Sequence, residues 1–81
     1  MILKMYALKD ELNGFTSPIP FTNDEMAKRY LRDQFEANPT VKNTPKDFSI
    51  WRVGEYESDT GVFKGEAENV LIERAESYGS N

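Results

Sequence analysis

Trp51 stands beside Arg52, Phe48 follows Lys46 by two positions, and Tyr30 lies between Arg29 and Arg32. Each is a stacking surface next to a cation, and that pairing is what single-stranded nucleic acid requires, because bases stack on aromatic faces while phosphates meet positive charge. Lys28, Arg29 and Arg32 share one outward face if residues 24–37 are helical, which makes them candidate phosphate contacts. Each group also has a plainer explanation. Tyr30 and Phe35 fit a helix core stripe, Trp51 fits a subunit interface, and the helical cations fit a solvated surface diluted by Asp33 and Glu36.

Catalysis finds little support in the same sequence. There is no cysteine and no histidine, so no serine, threonine or lysine has an imidazole to activate it and no thiolate is present. Glu55 and Glu57 fall on one face of a strand with Asp59 in the following turn, a set of hard oxygen ligands, but the spacing matches no known cation-binding loop. None of the five glycines precedes a lysine and a hydroxyl residue in the order of a phosphate-binding loop. The expectation is a non-enzymatic protein without a cofactor or metal.

The elements that must position these residues follow from periodicity. Ile2–Leu8 reads as a buried strand, and Lys9–Pro20, with Asn13-Gly14 and Ser17-Pro18-Ile19-Pro20, as a surface loop. Thr22 and Glu25 are spaced as a capping box, with Phe21 and Met26 as its hydrophobic staple. The spacing predicts a helix to Ala37 with an inner stripe of Ala27, Tyr30, Leu31, Gln34 and Phe35, closed by a left-handed Asn38 before Pro39. After a polar linker over Thr40–Pro45, a strand runs from Asp47 to Glu57. It sets Phe48 and Ile50 on one face and Trp51 and Val53 on the other. Ser58-Asp59-Thr60-Gly61 turns the chain into a shorter strand, Val62–Lys64. Residues 66–78 carry both helical spacing and the strand-like Val70-Leu71-Ile72, so helix and strand both stay open.

The expected fold is therefore α+β, a small β-α-β-β sheet with one helix packed on one face and a short C-terminal helix as an option. The first two strands would be parallel through a crossover. Residues 1–65 form one domain and 66–81 an acidic segment, helical or extended. One helix covers one sheet face, so the other, bearing Trp51 or Phe48, awaits a ligand or a second subunit.

Composition agrees with a soluble globular domain, with 38% hydrophobic and 30% charged residues. A chain of 81 residues buries only about 60% of its unfolded surface, and without cysteine no disulfide supplements the core, so a homodimer or higher homo-oligomer is expected. The absence of cysteine suits a reducing compartment, no run spans a bilayer, and Met1–Leu8, interrupted by Lys4, is too short for a signal peptide. The net charge of −4 is uneven. Residues 1–53 hold eight basic and seven acidic groups, and residues 54–81 two and seven, so phosphate would meet the body of the protein and be repelled by its C-terminal third.

Several segments together carry a resemblance: Tyr6-Ala7-Leu8-Lys9-Asp10, Pro20-Phe21, Arg29–Phe35, Thr60-Gly61 and above all the specific run Pro45-Lys46-Asp47-Phe48-Ser49-Ile50-Trp51-Arg52-Val53-Gly54-Glu55-Tyr56. Over about residues 4–63 the chain resembles the small nonstructural protein of gokushovirus-type microviruses, single-stranded-DNA phages of bacteria. The resemblance implies a DNA-binding protein acting in the host bacterial cytoplasm, when duplex replication gives way to single-strand synthesis and packaging. Its partners would be single-stranded viral DNA and phage replication or capsid assembly proteins. It supplies no catalytic residues and favours Trp51, Arg52, Arg29 and Arg32, with Phe48, Lys46 and Lys28 beside them. The alternative is a protein-interaction module that grips those phage proteins without touching DNA.

Overall fold

Residues Ile2–Asp10 form the strand on which the sheet is built, β1. In the computed structural model, which describes residues 1–79, β1 is flanked on one edge by two short strands, β2 (Gly14–Phe15) and β3 (Ile19–Phe21). On its other edge lies β4 (Phe48–Glu57), followed by β5 (Val62–Arg74), and every pairing is antiparallel. Helix α1 (Asp24–Ala37) crosses between β3 and β4. Helix α2 (Pro39–Asn43), a 3-10 turn (Pro45–Asp47) and a last short helix α3 (Glu76–Gly79) complete the chain.

The core lies between the helices and one face of the sheet. Tyr6 and Leu8 from β1 and Ile50 from β4 meet Ala27, Leu31 and Phe35 of α1, Val41 of α2 and Ala75. Leu31 and Ile50 are fully buried, a contribution of about 1.5–3 kcal/mol each. Phe48, Tyr30 and Ile72 pack against the rim of this cluster, and the Tyr78 hydroxyl donates to the Lys28 carbonyl at 3.1 Å. Helix α1 ends at Ala37, as its inner stripe predicts.

The sheet is α+β as expected, but its topology differs from β-α-β-β. β1 and β4 pair antiparallel and not through a parallel crossover. β3 and β4 do run the same way, each antiparallel to β1, and β1 lies between them, so the helix spans a split β-α-β unit. The Lys9–Pro20 loop instead contains β2 and β3. Pro20 is tolerated there because β3 is an edge strand that can present its proline away from the ladder.

Smaller corrections have local causes. The helix cap is Asn23 and not Thr22, its side chain accepting from the Met26 N–H at 3.0 Å. Glu25 does not close a box but meets Lys28 at 3.4 Å. Met26 is exposed, and Phe21 packs instead on Tyr6 and Tyr30, with ring centroids 5.8 and 5.3 Å apart. Asn38 is extended at φ −107°, not left-handed, because it caps α2 by accepting from the Thr40 N–H. The expected linker thus holds α2, with Pro39 at its first turn, and the 3-10 turn. No boundary falls at residue 65. β5 runs on to Arg74, and Ile72, Ala75 and Tyr78 join the core of the rest, while residues 80–81 of the proposed acidic segment lie outside the described residues.

Two glycines shape the β4–β5 hairpin. Gly61 holds φ +75° in the turn, as its position in the sequence predicts. Gly54 permits close approach: a Cβ there would sit 2.6 Å from the Lys64 carbonyl oxygen and 2.7 Å from the Phe63 ring. Gly54→Ala is expected to cost about 1–3 kcal/mol, since backbone must move to relieve the clash. Gly65→Ala, whose Cβ would meet only the Val53 oxygen at 3.9 Å, is expected to stay within about 0.5 kcal/mol. Urea unfolding midpoints of the two variants check this, and equal losses would contradict it.

Candidate nucleic-acid interface

Directly paired residues in neighbouring strands share a sheet face. Ala7, Trp51 and Leu71 form one row across β1, β4 and β5, and Lys9, Ser49 and Arg74 form the next, with Phe15 of β2 opposite Lys9. Both rows lie on the face away from the helices, because Tyr6, Leu8 and Ile50 alternate with them into the core. A bulge at Val53 of β4, opposite the Met5–Tyr6 step of β1, and irregularities in β5 keep this face continuous with Met5 and Gly54, then with Leu3, Tyr56 and Phe63. Four aromatic side chains, Phe15, Trp51, Tyr56 and Phe63, therefore share one uncovered surface.

Trp51 is the best-defined group on it. Its indole N–H donates to the buried Ser49 hydroxyl at 2.8 Å, which fixes the ring over the strand. The Phe15 ring stands edge-on to it, 6.2 Å between centroids at 78°. Lys9 Nζ lies 5.5 Å from the Trp51 centroid and 5.6 Å from that of Phe15, within cation–π range of both. Lys9 also meets Glu11 at 3.5 Å. Phe15 retains 45% of its surface in water and Trp51 is half-buried. The arrangement provides a ring fixed in orientation, a more exposed ring at its edge and a cation between them.

Charge divides across the sheet. Among the register-paired positions of β1, β4 and β5, the uncovered face holds Lys9 and Arg74 and no carboxylate. Asp10, Glu55, Glu57 and Glu73 pair on the helix side. Lys4, Arg52 and Lys64 pair on that same side, so its four carboxylates face three cations, while the only charges at the paired positions around Trp51 are cations.

Arg52, adjacent to Trp51 in sequence, points to the helix side with those acids. Its guanidinium lies 3.3 Å from Asp24 at the start of α1 and 3.3 Å from Glu66 of β5. Asp24 also accepts from the buried Tyr6 hydroxyl at 2.6 Å. That hydrogen bond holds the Asp24 carboxyl below its ordinary value of 3.8; burial opposes the shift and the Arg52 charge reinforces it. Burial, together with the hydrogen bond to Asp24, pushes the Tyr6 hydroxyl well up. Arg52 is committed to this internal network.

The remaining expected site residues are dispersed. Phe48 belongs to the helix-side core, not to the face of Trp51. Lys46 is exposed on the 3-10 turn. Lys28, Arg29 and Arg32 lie on α1, so the thickness of sheet and helix separates them from Trp51. Arg29 and Arg32 make no ion pair among the described residues, whereas Lys28 meets Glu25. The structure adds Phe15, Lys9 and Arg74, which sequence reasoning missed. Lys9 and Trp51 are 42 positions apart, and only the register brings them together, although the aromatic Phe15 beside Asn13-Gly14 was a hairpin signal. Glu57 and Asp59 meet the Met1 ammonium at 2.6 and 2.9 Å. No cluster that could hold a metal, and no helix long and apolar enough to cross a membrane, occurs among the described residues.

A group whose folded-state value is depressed stabilises the protein above its unfolded value and loses that contribution as pH falls through the folded value. The Asp24 network should therefore be intact above about pH 4 and fail on further acidification. The melting temperature of the wild type is expected to fall more between pH 5 and pH 2 than that of Asp24→Asn. Tyr6→Phe is expected to cost about 1–2 kcal/mol at neutral pH, the range for a hydrogen bond to a carboxylate that keeps some water. Parallel pH profiles for wild type and Asp24→Asn would refute the linkage.

Comparison with known proteins was made by family, by curated relatives and by structure. Searches of curated proteins and of solved structures return no match. A family model described as "Phage ORF5 protein" matches residues 3–78, which takes in β1, α1, the whole β4–β5 hairpin and the start of α3. The chain belongs to the phage ORF5 protein family.

Proposed function

We propose that this phage protein binds single-stranded DNA on the uncovered face of its sheet, with Trp51 and Phe15 as stacking groups and Lys9 as the nearest cation. The supporting observation is that this face collects four aromatic residues and two cations at paired positions without one carboxylate, in a chain whose net charge is −4. Such a surface suits a chain with exposed bases better than a duplex, since stacking needs the base faces free. No chemical step is assigned to it.

In this reading the DNA is the genome of a small single-stranded-DNA phage of the gokushovirus-type Microviridae, as the resemblance over residues 4–63 implies. The protein acts in the cytoplasm of the infected bacterium as replication turns to single-strand synthesis and packaging, and works as a homodimer or larger homo-oligomer. The helical cations Lys28, Arg29 and Arg32 would serve only a strand that wraps around the domain or a strand held by a second copy.

A second reading has its own observation. Phe63 and Leu71 on one face of β5 and Val62 and Val70 on the other are exposed along the sheet's outer strand, which suits a protein partner that adds a strand at this edge. Salt separates the two, since phosphate contacts release counterions and apolar contacts do not.

Fluorescence anisotropy of a labelled oligonucleotide, with Trp51 emission followed in parallel, tests the proposal. Expected are saturable binding, a steep fall with salt, quenching of Trp51 and weak competition by duplex. Trp51→Ala should weaken binding by about 1–3 kcal/mol, the range for loss of one stacked base. Absence of binding even at low salt would overturn the proposal and favour the protein partner.

A further inference from the structure

We propose that the cleft beside the C-terminal end of β5 holds the sugar–phosphate backbone of a strand whose base rests on Trp51, with Arg74 and Lys46 as its phosphate contacts. This inference rests on the single-strand reading above and adds a direction to it. The cleft is about 590 Å³ and open to solvent, formed where β5 passes the 3-10 turn and α3. Its lining includes the apolar Pro45, Leu71 and Ile72 and the cations Lys46 and Arg74.

Register makes the cleft continuous with the stacking face. Leu71 is the direct neighbour of Trp51, and Arg74 is the direct neighbour of Ser49, whose hydroxyl holds the Trp51 indole. Adjacent strands are about 4.8 Å apart, so one strand spacing separates the backbone under the ring from the backbone that carries Arg74. Lys9 occupies the corresponding position on the opposite side of Ser49. A base over Trp51 is thus bracketed by a cation on each flanking strand, and the Arg74 side leads on to Lys46.

These two cations are available. Among the described residues neither Lys46 nor Arg74 has a carboxylate within 4 Å, in contrast to Arg52 with its two acidic partners. Glu73 and Glu76 also line the cleft. Glu73 pairs with the buried Ile50, and its charge acts on the Tyr78 hydroxyl on the helix side. Glu76 is exposed and is the carboxylate of the lining that stands freest to repel a phosphate. Apolar lining and unpaired cations fit a sugar–phosphate chain, whose sugars present carbon and whose phosphates present charge.

The test is salt-dependent anisotropy of the full chain with an oligonucleotide and with an abasic strand of equal length. For single strands each phosphate contact contributes about 0.7 to the slope of log K against log salt concentration, so Lys46→Ala with Arg74→Ala is expected to flatten it by about 1.4. Lys46→Arg with Arg74→Lys should restore the slope, and Glu76→Gln should tighten binding at low salt. The abasic strand should keep the sensitivity to Lys46 and Arg74 and lose the quenching of Trp51. Circular dichroism checks folding, which is expected to be intact because both side chains are exposed. A wild type that binds and quenches Trp51, with a slope unmoved by the double alanine variant, would overturn the path and leave the single-strand reading standing. A wild type that binds no oligonucleotide would overturn both.

Discussion

The Asp24 carboxylate, held by the Tyr6 hydroxyl and the Arg52 guanidinium, ties together the parts of this protein that matter most. Asp24 opens α1, Tyr6 is on β1, Arg52 is on β4, and Arg52 continues to Glu66 on β5. Four elements converge on one half-buried set of charges, and each member has a partner, which is the condition under which such a set stabilises a fold. The consequence reaches the opposite face. Successive side chains of a strand alternate, so fixing Arg52 toward the helix fixes Trp51 away from it. The same ionic network that anchors the helix thereby determines which aromatic residue the sheet displays.

The helix and hairpin were legible because their signals are local. The spacing of Ala27, Leu31 and Phe35, and a turn glycine that needs positive φ, require no knowledge of distant partners. The errors arose where long-range pairing overrode local preference. Pro18 and Pro20 argue for a loop, yet β1 offered a free edge against which Ile19–Phe21 could pair. The cap is Asn23 and not Thr22, and the first helical residue, Asp24, is bonded to Tyr6 and Arg52 on distant strands, contacts that local spacing does not show. The length of β5 was hidden by its irregularity. Between the pairs Arg52–Val70 and Gly54–Gly65, β4 contributes one residue and β5 four, Glu66–Asn69, so no period of two runs through the strand.

The candidate site divides along the same line. That Trp51 and Phe48 occupy opposite faces follows from parity alone, and parity also argued against grouping Arg52 with its neighbour. Sequence adjacency on a strand places two side chains on opposite sides, so a cation useful to Trp51 had to come from another strand. Lys9 and Arg74 are those cations: the antiparallel pairing of β1 with β4 sets Lys9 opposite Ser49, and an extra residue at Ile72 sets Arg74 there, neither of which a local pattern reveals. The helical trio Lys28, Arg29 and Arg32 was read correctly as an outward face, but a helix can pack on only one side of the sheet, and that side is not the one that carries Trp51.

An acidic protein is an unpromising partner for a polyanion only if its charge is spread evenly. Here the sheet acts as a partition: at its paired positions all four carboxylates lie on the helix side, among the three cations Lys4, Arg52 and Lys64, and none on the other, while the helix surface mixes both signs. A polyanion approaching such a molecule meets a field that depends on direction, nearly balanced toward the helix side, repulsive toward the β5 acids and weakly attractive over Lys9 and Arg74. The field orients the encounter and the aromatic rings then supply contact area, because each cation alone contributes little in water. That division of labour also accounts for a tryptophan left half-buried on the outer face of a chain with so small a core. Trp51 already contributes to folding through its bond to Ser49 and its packing against Phe15, but the apolar surface it shares with Phe15, Phe63 and Leu71 still faces water, and such a row on a marginal domain is a feature that binding explains better than stability does.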